Sequence, residues 1–253
     1  MLDINKIYLG DCLEIMKKIN NQSVDMILCD LPYGVTQCKW DTVIPFEKLW
    51  AEYERIIKDN GAILLTAIEP FASALRLSNI KMYKYDWVWD KIKGTGFLNA
   101  KKQPMRCYEN ICVFYKKQPT YNPQKTFGHE KKVSHRKKDY LTEVYNPANK
   151  ETYYSSTERY PRNIIKFSTD TQKSSLHPTQ KPVALFRYLI KTYSNENDII
   201  LDNCIGSGTT AIAAIAEHRN YIGIEKDKKY FDIANKRIED FCKKPRFEAT
   251  SLF

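Results

Sequence analysis

At positions 27–33 the sequence ILCDLPY runs apolar and then sets a carboxylate, a proline and a phenol in close succession. Pro32 fixes its own φ, lacks an N–H and biases Leu31 toward an extended shape, so the run cannot continue as a central strand. Asp30 and Tyr33 are therefore expected at a strand's carboxyl end, the edge where open α/β sheets bind their ligands. Taken alone, the tetrapeptide DLPY also fits an ordinary turn.

A second stretch at positions 198–225, DIILDNCIGSGTTAIAAIAEHRNYIGIE, reads as strand, glycine turn, helix, strand and terminal acid. Gly206 and Gly208 would let the backbone come close to a ligand, and Thr209 is placed to begin the helix. Glu225 follows Gly208 by 17 residues, near the interval at which an acid meets ribose hydroxyls in a mononucleotide-binding half. No third glycine stands at the dinucleotide spacing and no G-K-[ST] occurs, which argues against NAD and against a P-loop triphosphate. Asp202, at the strand end before the turn, suits a cationic ligand group. A two-glycine turn by itself equally describes a tight corner, but the flanking strands, helix and acid together fit an adenosine-bearing ligand.

Both constellations need strands to carry them. Short apolar runs alternate with stretches of helical period at 4–9, 12–19, 24–29, 46–57 and 62–68, and the alternation returns at 199–201, 209–217, 221–224 and 228–241. Such βα units predict a parallel sheet. Further strands are expected at 87–89 and 111–115, whereas 116–175 shows no sustained apolar period and reads as irregular chain. The domain reading is thus 1–115 as one half of an α/β core, 116–175 as an insertion and 176–253 as the second half.

Composition narrows the partners. The chain of 253 residues carries a net charge of +10, and positions 91–181 hold 19 Lys or Arg against 7 Asp or Glu, so the basic character belongs to the middle. A polyanionic partner is one reading of this run and a solvated lysine-rich face is the other. Seven cysteines without C-x-x-C or histidines at zinc spacing read as reduced thiols. No apolar run of about 18 residues and no signal-like start occurs, which predicts a cytoplasmic protein without a membrane partner.

An adenosine ligand with a cationic amino-acid tail describes S-adenosylmethionine. With DLPY at 30–33 first, a basic segment next and DNCIGSGTT at 202–210 last, and with GDC at 10–12 and HPTQKP at 177–182, the chain resembles the β group of DNA amino-methyltransferases. One departure is visible: Leu31 stands where the usual motif has its first proline. The resemblance implies a Rossmann-like methyltransferase sheet with helices on both faces, a circularly permuted motif order and 116–175 as the target-recognition region. It implies S-adenosylmethionine as cofactor, held by Asp11, Thr179, Lys181, Asp202, Gly206, Ser207, Gly208, Thr209 and Glu225, with Thr179 and Lys181 nearest the methionine end. Asp11 reads equally as a helix cap.

The chemistry so implied needs no metal and no covalent nucleophile, because a poorly basic exocyclic amine attacks the methyl group directly. Asp30 and the Leu31 carbonyl would accept from that amine while Pro32 stiffens the turn and Tyr33 stacks on a base taken out of the duplex. Double-stranded DNA is the implied partner and N6 of adenine the implied target. The cytosine N4 amine and an inactive DNA-binding protein of the same fold are the alternatives, and a second copy of the chain and a restriction endonuclease stay open as further partners.

Overall fold

The computed structural model describes residues 2–35, 41–136, 151–169 and 180–243. They contain an eight-stranded sheet built from β1 (Lys6–Leu9), β2 (Val24–Asp30), β3 (Ile57–Ala67), β4 (Tyr83–Thr95), β5 (Arg106–Phe114), β8 (Ile164–Lys166), β9 (Ile199–Asp202) and β10 (Asn220–Glu225). Its spatial order is β1-β10-β9-β2-β3-β5-β4-β8. The first chain segment thus builds one side of the sheet and the last segment builds most of the other, meeting where β2 lies parallel to β9 with Met26 beside Ile200 and Ile27 beside Leu201. Neighbouring strands here run to connections in opposite directions, which is the switch point where doubly wound sheets open a crevice.

Alternation explains the layering. Along β2, Met26 and Leu28 enter one core while Ile27 and Cys29 enter the other, and β3 and β5 repeat this division with Ala62, Leu64, Ile111 and Val113 against Ile63, Leu65, Cys112 and Phe114. Every one of these side chains is buried, so the strands read as unbroken apolar runs. Helices α1 (Cys12–Met16), α2 (Phe46–Ile56) and α3 (Phe71–Ser78) cover the face of Ile27 and Cys29 through Met16, Leu49, Tyr53 and Leu75. Helices α4 (Val183–Tyr193), α5 (Thr209–Ala216) and α6 (Lys228–Lys243) cover the opposite face through Phe186, Leu189, Ala213 and Ala234.

Three expectations need correction. The sheet is not wholly parallel, because β5 runs antiparallel to both β3 and β4. Helices α3 and α4 were not among the expected elements. The stretch 116–175 is not irregular throughout: β6 (Lys132–Arg136) pairs antiparallel with β7 (Thr152–Ser156), and β8 joins the large sheet beside β4. The β6–β7 pair is mostly exposed and polar, held by its backbone ladder rather than by a buried face, so no apolar alternation marks it.

The residues fall into two compact units, Met1–Asn122 with Asn163–Glu248, and Pro123–Arg162. Among the described residues no helix is long and apolar enough to cross a membrane. Six described cysteines carry free thiols, and no cluster of His, Cys, Asp and Glu that could hold a metal occurs there.

Candidate active site

The carboxyl ends of β2, β9 and β10 share one cavity of about 940 Å³, lined by Asp30, Tyr33, Asp202, Gly206 and Glu225 among others. The two constellations read from the sequence therefore open on the same space. That volume lies in the range of pockets that bury a small ligand.

On the β2 side, Asp30 closes its strand and Leu31 turns inward, buried among the core residues of the α2 layer. Burial of this leucine anchors the turn where a proline would have stiffened it. Asp41 completes the turn by accepting from the backbone N–H of Gly34 at 2.8 Å and of Val35 at 2.9 Å. Tyr33 donates its hydroxyl to Asp30 Oδ1 at 2.6 Å, and Thr66 of β3 donates to the same oxygen. Lys181 Nζ donates to Asp30 Oδ2 at 2.7 Å. An ionised carboxylate offers about four acceptor positions, so these three donors leave one open on Oδ2 among the described residues.

Lys181 is itself buried, and its ammonium also lies 3.3 Å from Glu109 Oε2, while Lys91 lies 3.3 Å from Glu109 Oε1. The charges alternate along Lys91, Glu109, Lys181 and Asp30. Burial alone would lower the Lys181 pKa, yet the facing carboxylates of Asp30 and Glu109 outweigh it and hold the ammonium above its ordinary value. Tyr33 is held well above the usual phenol range by burial and by the same two carboxylates. Its ring packs against Phe71 with centroids 5.2 Å apart, and Lys181 Nζ sits 5.5 Å from its centroid.

On the β9 side, Asp202 is almost sealed and accepts from Cys204 N at 3.0 Å and from the Thr210 hydroxyl. Burial pushes its carboxyl up to about 7. Gly206 and Gly208 both have positive φ, +52° and +84°. A Cβ on Gly208 would meet Ala234 of α6 at 3.2 Å, whereas one on Gly206 would meet nothing within 4 Å. The first glycine thus faces open space and the second lets two helices approach. Glu225 Oε2 accepts from Gly206 N and Oε1 from Asp227 N, both at 2.8 Å, and burial raises its pKa. Ser207 and Thr209 face α6, where Arg237 donates to the oxygens of both side chains.

The remaining sequence candidates divide as follows. Asp11 caps α1 by accepting from Leu13 N at 3.0 Å and still lines the cavity beside Gly10. Lys181, which the resemblance set at the cofactor's methionine end, has its ammonium on the Asp30 side. Thr179 lies outside the described residues, as does His177 of the HPTQKP motif. Cys29 is buried, while Cys204 is half-buried at the cavity wall. Sequence reasoning missed Thr66 and Glu109. Thr66 is the one polar residue in the apolar run 62–68, which marks it, whereas Glu109 stands beside Asn110 among the polar residues that begin β5 and carries no such mark.

A family model described as "DNA methylase" (N6_N4_Mtase) matches residues 24–236. The chain is similar to the Type II methyltransferase M.HinfI of Haemophilus influenzae, 30% identical over 96% of this chain and 70% of the relative. It is similar also to the DNA adenine methyltransferase YhdJ of Escherichia coli, 32% identical over 91% of this chain and 81% of the relative. Among solved structures, the M1.HpyAVI–SAM complex superposes with a TM-score of 0.63 at 25% identity, over 92% of this chain and 98% of the other.

Replacing Lys181 by methionine keeps the stem and removes the charge, leaving the half-buried Asp30 without its cation and Glu109 with Lys91 alone. The variant is expected to lose about 3 kcal/mol of unfolding free energy at pH 8. Urea unfolding at pH 8 measures it; an absent deficit contradicts the pairing.

Proposed function

The chain belongs to the DNA methylase family, and from that premise we propose that it methylates the N6 amine of adenine in a specific sequence of double-stranded DNA. S-adenosylmethionine is the cofactor, and when bound it supplies a methyl group on a sulfonium. Adenine is favoured over the cytosine amine by the likeness to a named DNA adenine methyltransferase and by the carboxylate at position 30. The observation that carries the reading is the single open acceptor position on Asp30, facing a cavity whose other wall is built for a nucleoside.

The residues fit this cofactor. Each Glu225 oxygen accepts one backbone N–H and keeps one lone pair for a ribose hydroxyl. Gly206 clears the path to the turn, and the backbone of Ser207, Gly208 and Thr209 forms its floor. Asp202 offers an anion to the cationic amino-acid end, with Asp11 at the rim and Thr179 assigned to the same end.

On the DNA side, the attacking nitrogen gains positive charge as its new bond forms, so acceptors fixed beforehand stabilise the transition state. Asp30 Oδ2 and the Leu31 carbonyl are assigned to that amine, and the proton it must shed lies against Asp30 Oδ2. Tyr33, backed by Phe71, is assigned to stack on the extruded base. Pro32 holds the carbonyl and the ring in register. The unit Pro123–Arg162, with its polar β6–β7 pair, is assigned to target recognition, where Lys and Arg would bind phosphates and Asn, Arg and aromatic side chains would read base edges. A DNA substrate implies action in the cytoplasm, and the Type II names of relatives support a restriction–modification setting.

Duplex DNA treated with the protein and labelled S-adenosylmethionine is expected to yield N6-methyladenine when digested to nucleosides and identified by mass spectrometry, with the modified positions falling in one short motif. Methylcytosine as the main product would overturn the assignment of the base. A second outcome concerns Asp202: with its pKa raised toward about 7, the carboxyl is increasingly neutral below that pH and gives no counter-charge. Cofactor affinity should therefore rise up to about tenfold between pH 5.5 and 7.5 with proton release on binding, and Asp202→Asn should bind weakly with a flat profile, both readable by calorimetry.

A further inference from the structure

The β4–β5 hairpin reaches past the cavity on the edge where β2 and β9 end. Its base belongs to the cavity wall through Lys91, Thr95, Arg106 and Glu109. Thr95 pairs with Arg106 across the ladder, and its hydroxyl donates to the Arg106 carbonyl at 3.1 Å. Immediately after Thr95 the chain turns through Gly96 at φ +89° into a short helical turn at Phe97–Asn99. The tip is fixed by its own backbone bonds, from Asn99 N to Gly96 O at 2.9 Å, Ala100 N to Phe97 O at 3.0 Å and Lys102 N to Asn99 O at 2.8 Å.

This ordered tip presents apolar side chains to solvent: Phe97 is 77% exposed and Leu98 97% exposed. Exposing two large hydrophobic side chains on a rigid tip is unfavourable unless they have a partner. The flanks are basic, with Lys93, Lys101, Lys102 and Arg106 and no acid at all between Lys91 and Glu109. That charge selects the partner. A self-association across a two-fold axis would bring two such basic flanks together, whereas a polyanion would neutralise them.

We propose that Phe97 and Leu98 form the wedge that enters the DNA duplex where the target base has left it, with the flanking lysines and Arg106 on the adjacent phosphates. This rests on the DNA methyltransferase reading above. Extruding a base leaves an unstacked gap, and apolar side chains that fill it recover part of the lost stacking. A tip rooted in the cavity wall stands beside the place where the extruded base is held, so opening the duplex and receiving the base belong to one structural piece.

The test uses the full-length protein and two duplex oligonucleotides carrying the motif found by modified-base detection on wild-type product. One duplex is fully paired; the other has an abasic site opposite the target adenine, so that the base is already unpaired. Phe97→Ser/Leu98→Ser should methylate the paired duplex at least about tenfold more slowly and the abasic duplex within about threefold of wild type. Its affinity for S-adenosylmethionine by calorimetry should be unchanged, which also reports that it is folded. Unchanged methylation of the paired duplex, an equal loss on both duplexes, or a loss of dimer mass by sedimentation with no effect on transfer would each overturn the wedge. Failure of the wild type to methylate any duplex would instead overturn the functional reading on which it rests.

Discussion

The pairing of β2 with β9 is the constraint from which the rest of the structure follows. Two strands far apart in the chain lie side by side and parallel, buried on both faces, with Ile27 beside Leu201. Their carboxyl ends cannot be satisfied by further ladder, because Pro32 stops one and the Gly206–Gly208 turn bends the other away. Polar groups at such ends must find side chains or ligands. Asp30 and Asp202 thus become neighbours on one cavity although 172 positions separate them in the sequence. The order of the motifs along the chain is free to vary as long as this pairing is kept.

Electrostatics then gives the two ends different characters. Asp30 stands in an alternating row of charges with Lys181, Glu109 and Lys91, which keeps a buried carboxylate compensated and aims it with Tyr33 and Thr66. Removing charge from water is costly, and the row offsets that cost only because each carboxylate meets a cation. Asp202 has no such cation among the described residues: a hydroxyl and a backbone N–H donate to it, and burial raises its pKa. One acid is ready to accept before any ligand arrives, and the other is completed by a ligand's positive charge.

Much of this was legible in the sequence because it rests on local signals. Pro32, the two glycines and Glu225 each restrict the backbone or end a strand in a way visible from residue type and spacing. The reversal of β5 was not legible, since a strand buried on both faces has the same apolar run in either direction. The β6–β7 pair escaped because neither of its faces is apolar, whereas α4 does carry a helical period, with Arg187 and Lys191 one turn apart and Leu185, Phe186, Leu189 and Ile190 buried. Thr66 interrupts an apolar run and Glu109 stands among the polar residues that begin β5, but their partners, Asp30 and Lys181, could be supplied only by the fold. Leu31 departs from the family motif in the sequence, and the structure anchors its turn by burial.

The central claim is that the two strand ends divide the work, Asp30 serving the target amine and Glu225 the cofactor. The direct measurement is S-adenosylmethionine affinity by calorimetry together with the single-turnover methylation rate at saturating cofactor, for Asp30→Asn and Glu225→Gln side by side. The account expects Asp30→Asn to bind cofactor within about threefold of wild type while transfer falls by a factor on the order of 100 or more, and Glu225→Gln to lose cofactor affinity about tenfold or more while keeping most of the saturated rate. Loss of cofactor binding in a folded Asp30→Asn protein, or unchanged affinity in Glu225→Gln, would contradict it.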